Sequence, residues 1–200
     1  MEGYGAATYL RLENVLGLIH CALLLGKSRV APLKIVTIPR LELTAATVAV
    51  NLHKVVVREL DIPINETIFW TDSRIVIQCI RNEARRFQTF VANRLALIHD
   101  VSCSKQWKYV PSELNPANHA SRGLKATDID QIDKWLNGPS FLWRNRCDWP
   151  AQPEDLLTLP ADDKEIKTSY HVNSSIHENP IYSLVLRFSN WYRLQITVAW

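Results

Sequence analysis

Two carboxylates, an amide and an imidazole are the side chains here that could do chemistry. Glu42 stands in IPRLELTAA, Asp72 in IFWTDSRIVI, and Asn118 with His119 in VPSELNPANHASRG. Carboxylates supply hard oxygen ligands, so Glu42 and Asp72, if brought together, could hold divalent cations. Asn118 offers a neutral amide where such a site calls for negative charge. His119 could ligate a metal or relay a proton, but it is a lone histidine without a paired carboxylate or cysteine. The same residues also suit ordinary structure. A first-turn Glu is favourably sited at a helix N-terminus, an Asp fits a strand-to-helix turn, and Asn118 and His119 fit the surface of a short helix.

Which reading holds depends on the elements that carry these residues. Residues 5–12 (GAATYLRL) and 18–25 (LIHCALLL) read as an antiparallel pair of strands, with GKSRVAP as a turn-rich exit. From Thr37 the period changes. Leu41, Ala45, Val48, Leu52, Val55 and Val56 recur at helical spacing, Pro39 fits a first turn and Thr37 a cap, which predicts an amphipathic helix over about 39–60. Glu42 falls in its first turn, beside the apolar stripe. ETIFW is a short buried strand ending at Thr71-Asp72-Ser73, and Ser73 can cap the helix formed by IVIQCI. Asp72 thereby takes the C-terminal end of a strand, where α/β sheets bind ligands. Phe87, Val91, Leu95 and Ile98 mark a helix over about 86–101, QWKYVP alternates as a strand, and Asn115, Pro116 and Gly123 serve as cap, first helical position and stop of a short helix. The layout is mixed α/β, and it brings Glu42 and Asp72 near one sheet edge if the first helix packs back across the sheet.

The chain has 200 residues and is 47% hydrophobic, enough for a real core. Its net charge of +3 is uneven: Lys and Arg number 16 against 10 Asp and Glu through Lys125, and 7 against 10 beyond it. The basic part is compatible with a phosphate-bearing partner, and equally with a solvated surface. Arg81, Arg85, Arg86, Arg94, Lys105 and Lys108 are the best candidates for phosphate contact, with a plain solvated helix face as the alternative. Cys21, Cys79, Cys103 and Cys147 are scattered without a CxxC pair, which predicts reduced, mostly buried thiols. No apolar run of membrane-spanning length and no secretory leader is evident, so the expected location is intracellular, in cytoplasm or nucleus.

Beyond Lys125 the texture shifts to Trp, Pro and acidic residues, a connector over 126–175 that holds one short helix and wraps or links. Trp135, Trp143 and Trp149 could stack on bases there, or simply cover a core. His171 and His177 have no following cysteine pair to complete a zinc finger. Residues 176–200 space Ile181, Leu184 or Val185, Phe188, Trp191 or Tyr192 and Val198 as an amphipathic helix. Its Arg187 and Arg193 are too few for a strong claim of membrane contact.

Five blocks, LLLGKSRVAP, IPRLELTAA, IFWTDSRIVI, VPSELNPANHASRG and WLNGPSFLW, taken in this order, resemble the reverse-transcriptase-associated ribonuclease H region of BEL/Pao-type LTR retrotransposon polyproteins, over roughly residues 1–150. The final RFSNWYRLQITVAW is similar to the segment leading toward the integrase region of those polyproteins. The resemblance implies a ribonuclease H-like mixed sheet with flanking helices over 1–125, followed by the connector and the C-terminal helix. It also implies hydrolysis of RNA in RNA:DNA hybrids by two Mg²⁺ ions. Such ions sit roughly 3.5–4 Å apart and need anionic ligands to do so.

Carried over position by position, Glu42 matches the family's helix glutamate and Asp72 its strand-end aspartate. The first aspartate of the family precedes Gly3-Tyr4-Gly5, so the first strand is expected to be truncated. The last lies in an Asn-Pro-Ala-Asp motif, where this sequence has Asn115-Pro116-Ala117-Asn118. With two of four acids absent, Asn118 is a degenerate catalytic position and Mg²⁺ is not expected to bind as a pair. The leading expectation is a retrotransposon-derived pseudoenzyme. The alternative is a non-catalytic nucleic-acid-binding or protein-interaction module. The implied partners are RNA:DNA hybrid and the ancestral reverse transcriptase and integrase regions.

Overall fold

Strand β1 (Gly3–Glu13) runs antiparallel to β2 (Ile19–Val30), with Gly3 opposite Val30 and Glu13 opposite Ile19. The computed structural model describes residues 3–82, 84–157 and 163–167. Asn14 closes the hairpin, its side-chain oxygen accepting from the Leu16 and Leu18 N–H groups at 2.9 Å each. β2 extends into the predicted turn-rich exit GKSRVAP, as far as Val30. Lys27, Ser28, Arg29 and Val30 stay in the ladder because Ala6, Gly5, Tyr4 and Gly3 stand opposite them.

Helix α1 (Ile38–Glu59) begins with Pro39 in its first turn and Thr37 at the cap, although the Thr37 side chain makes no capping bond. Glu42 lies past the first turn, not within it. The apolar stripe read from the sequence is half of what α1 buries. Val48 and Leu52 pack on Ala6 of the hairpin, while Leu43, Ala46 and Val50 face the main core. A helix held between a hairpin and other helices has two contact stripes, so Leu43 and Val50, outside the predicted set, are 2% and 1% exposed, and Val55, within it, is 37% exposed.

The main core forms where β3 (Phe69–Thr71) pairs in parallel with β4 (Trp107–Tyr109), and where α2 (Arg74–Arg81) and α3 (Thr89–His99) pack on them. Ser73 caps α2 by accepting from the Val76 N–H at 3.3 Å, as its position before IVIQCI predicts. Ile77, Ile80 and Ile98 are completely buried, and burial of each side chain contributes roughly 1.5–3 kcal/mol. The indole of buried Trp107 donates to Ser102 Oγ at 2.9 Å, and that hydroxyl donates to the Ile98 carbonyl at 2.8 Å. Phe87 is buried but lies outside α3, in an isolated bridge with Ile166, so the helix starts later than its apolar spacing suggests.

Helix α4 (Ala117–Arg122) starts one residue beyond the predicted position. Pro116 takes the cap, Asn115 Oδ1 accepts from the Ala117 N–H at 3.1 Å, and Gly123 ends the helix at φ +80°. Its seat on β1 depends on Gly5, where a Cβ would stand 2.9 Å from the Ala120 methyl. Beyond it, α5 (Ile129–Asn137) and the turn Ser140–Trp143 fold back on the hairpin. The Tyr9 hydroxyl donates to the Trp135 carbonyl at 2.8 Å, and Arg11 Nε to the Leu142 carbonyl at 2.8 Å. Arg40 and Glu165 form a two-pronged ion pair at 2.6 and 3.0 Å that fastens residues 163–167 to α1.

These elements belong to one compact unit that runs to Lys167. The architecture is mixed α/β with two small sheets, β1–β2 and β3–β4, and flanking helices. Cys21 and Cys79 are buried, but Cys103 and Cys147 are exposed because each sits in or beside a short surface turn, so half of the thiols depart from the buried expectation. The predicted helix over 176–200, with His171 and His177, lies outside the described residues. Among the described residues no helix is long and apolar enough to cross a membrane.

Candidate functional site

Glu42 on α1, Asp72 just past β3 and Asn118 on α4 all line one cleft of about 690 Å³. Each arrives by a different route: Glu42 by the packing of α1 on the hairpin, Asp72 by the strand-to-helix turn that Ser73 caps, and Asn118 by the close approach of α4 to Gly5.

Asp72 Oδ2 accepts from the Ser112 hydroxyl at 2.7 Å and, more weakly, from Asn118 Nδ2 at 3.5 Å. Asn118 Nδ2 also reaches the Ser112 carbonyl at 2.8 Å and Ser112 Oγ at 3.1 Å. A carbonyl only accepts, so the Asn118 atom facing it must be the NH₂ nitrogen. The amide therefore presents hydrogen, not oxygen, toward Asp72. Glu42 is half-buried. Burial raises its carboxyl pKa above the ordinary glutamate value, the negative charge of Asp72 raises it further, and a hydrogen bond with the Ser73 side chain acts in the opposite direction.

A cation held here would need ligand oxygens converging with their lone pairs free. The donor set does not fit that need. One Asp72 oxygen is already engaged by a hydroxyl and an amide N–H, and the third corner offers hydrogen. Among the described residues no group of three or more His, Cys, Asp and Glu side chains is arranged to hold a metal ion. His119 is partly exposed on α4 and belongs to no such group.

Ser112 is the site residue that sequence reasoning missed. It lies in the short turn Ser112–Leu114, six positions before Asn118, and nothing in its type or spacing marks it as the group that occupies Asp72. The aromatic wall was also missed as a unit. Trp70, Phe141 and Trp149 meet edge to face with centroids 5.0–6.3 Å apart, and Arg11, Lys108 and Arg146 lie over the Trp149 ring. Trp149 Nε1 is a buried donor without a hydrogen-bond partner among the described residues. Trp135 packs instead on Gly26 and Tyr9, and Trp143 meets the His20 ring.

The six predicted phosphate contacts do not form one patch. Arg85 and Arg86 line a second, shallow cleft with His99 and Lys167. Lys108 lies against the aromatic wall, and Arg81 donates to the Trp107 carbonyl. Arg94 packs on the Phe90 ring and donates to Thr44 Oγ1. Lys105 is exposed on the turn Ser104–Gln106.

Residues 1–73 match the model of the Pao retrotransposon-like RNaseH-like domain, a stretch that includes Glu42 and Asp72 and ends before Ser112 and Asn118. No curated protein and no solved structure matches the chain. The segment that builds the hairpin, α1 and the Asp72 corner is thus similar to a Pao-type retrotransposon ribonuclease H region.

Proposed function

We propose that this ribonuclease H-like chain of retrotransposon origin does not cleave RNA:DNA hybrids, and that its Glu42, Asp72 and Asn118 are the remains of a site for paired Mg²⁺ ions. The observation that carries the proposal is the Asn118 amide, whose hydrogens face Asp72 and the Ser112 carbonyl. Two divalent ions held close together need several carboxylates around them, and here two carboxylates and an amide donor stand in their place. The test is incubation of the full chain with an RNA:DNA hybrid and Mg²⁺. No cleavage is expected, and robust cleavage that Glu42→Ala abolishes would overturn the proposal.

A second reading, in which the chain binds nucleic acid without cutting it, is favoured by the grouping of Arg85, Arg86, His99 and Lys167 around one shallow cleft. In either reading the partners by descent are hybrid nucleic acid and the reverse transcriptase and integrase regions of a polyprotein, inside the cell. The same descent divides the chain into a ribonuclease H-like part over 1–125, a connector over 126–175 and a segment over 176–200 that leads toward the integrase region.

A further inference from the structure

β2 and β4 each have one strand partner, and their other edges differ in what covers them. On β4, the Tyr109 N–H donates to Gln152 Oε1 at 2.7 Å and the Tyr109 carbonyl accepts from Gln152 Nε2 at 3.0 Å, so one side-chain amide stands in for a neighbouring strand. The Trp107 N–H donates to the Ser104 carbonyl, and the Trp107 carbonyl accepts from Arg81 at 3.3 Å. That edge is closed. On β2, among the described residues, nothing but β1 bonds to the backbone of residues 25–30.

The glycines of β1 fix the direction of those groups. A Cβ on Gly5 would stand 2.8 Å from the Lys27 carbonyl oxygen, and one on Gly3 2.9 Å from that of Arg29. Lys27 and Arg29 therefore turn their backbone groups toward β1. By the alternation of an antiparallel ladder, Gly26, Ser28 and Val30 turn theirs outward. Residues 26–30 are all exposed.

An outward N–H and C=O at every second residue match another extended chain, which carries both in the same rhythm. A phosphate backbone only accepts, and would meet the outward carbonyls with its own oxygens. Charge narrows the partner further. Lys27 and Arg29 stand two positions apart and so project from one face of β2, while Gly26 lies against the Trp135 ring on the other. Among the described residues no acid pairs with either. A second copy is a poor fit. Antiparallel self-pairing through all three outward residues sets Lys27 opposite Arg29, and like charges directly opposed destabilise a sheet.

We infer that the outer edge of β2, at residues 26–30, takes an extended segment of another polypeptide with Asp or Glu two positions apart facing Lys27 and Arg29. Whether the chain cuts or binds nucleic acid does not bear on this edge. The stretch has the length of a usual strand.

The probe is a synthetic peptide of about seven residues that alternates Val with Glu. One comparison peptide has Lys for each Glu, and another has alternate amides N-methylated. Each is added to the full chain, and site-resolved amide hydrogen exchange is followed. With the Glu peptide at about ten times its Kd, exchange at Gly26, Ser28 and Val30 should slow about tenfold, with Lys27 and Arg29 unchanged. The Lys peptide should bind about tenfold more weakly at low salt, and the methylated one should give no protection. In the double variant Lys27→Glu with Arg29→Glu, the preference should reverse. Binding that ignores the exchange of Glu for Lys would overturn the inference, as would equal protection of all five residues or none at millimolar peptide. Protection of the same three amides by an RNA:DNA hybrid would overturn it by making phosphate the ligand. The same protection at raised protein concentration without peptide would overturn it by making a second copy the occupant. If the double variant does not fold, the three peptides decide the question unaided.

Discussion

Replacing Asn118 with Asp tests the electrostatic account of the site directly. The new carboxylate would stand where Nδ2 now lies, 2.8 Å from the Ser112 carbonyl and 3.5 Å from Asp72 Oδ2. Losing the bond to the carbonyl, and facing one acceptor with another, costs about 1–3 kcal/mol. Two unit charges about 3.5 Å apart repel by about 1 kcal/mol in water-like surroundings and about 4–5 kcal/mol at an effective dielectric near 20. The pair is partly exposed, so the lower part of that range applies. A net destabilisation of about 2–4 kcal/mol follows, a fall of roughly 5–15 °C in Tm for a unit of this size. The assay is thermal unfolding of both proteins with EDTA and with millimolar Mg²⁺. The wild-type Tm should be unmoved by the ion, and Asn118→Asp should fall in EDTA and recover in Mg²⁺, because a ligand that binds only the folded state stabilises it. Wild-type protein that gains as much from Mg²⁺ as the variant would refute the reasoning, and so would a variant as stable as wild type in EDTA.

Two further outcomes are expected. The raised pKa of Glu42, caused first by burial and then by Asp72, means that the folded state holds this proton to higher pH than the unfolded chain does. Stability from this group is therefore complete below the ordinary glutamate pKa and is lost as pH rises through the raised value. Glu42→Gln should flatten that part of a urea-unfolding pH profile and leave the variant the more stable protein at neutral pH, and a variant less stable at every pH would contradict this. If the shallow basic cleft binds nucleic acid, log K should fall linearly with log salt, and Arg86→Ala should reduce the slope by about 0.7–0.9, the value of one phosphate contact. A flat salt dependence excludes that role.

Local order was largely legible in the sequence, because short-range patterns encode it. The period of α1, the Ser73 cap and the Asn115-Pro116 start of α4 all lie within a few residues of what they specify. Long-range placement was not. Leu43 and Val50 are buried because α1 is covered on a second side, and no single-helix pattern carries that information. Lys27 and Arg29 remain in a strand because residues more than twenty positions earlier stand opposite them. At the site, Glu42 and Asp72 were visible by type and position, whereas Ser112 became relevant only once folding set its hydroxyl against Asp72. The basic residues illustrate the converse: they are close in sequence, yet Arg94 and Arg81 each direct a donor to a group of the protein itself.

The ladder between the first two strands slips by one residue: Thr8 faces Leu25 and Tyr9 faces Leu23, leaving Leu24 over. That slip reconciles two contacts of opposite parity. Gly26 lies against the Trp135 ring and Cys21 against Gly138, so positions five apart in a strand look toward the same helix end. An uninterrupted zigzag forbids this. Leu24 thus works as a phase shifter: it keeps Leu25 against Ala6 and Val48 while Cys21, beyond the slip, turns to the opposite side. Removing that leucine would leave the polypeptide with nearly the same composition and hairpin length, but one half of the strand would have its inside and outside exchanged.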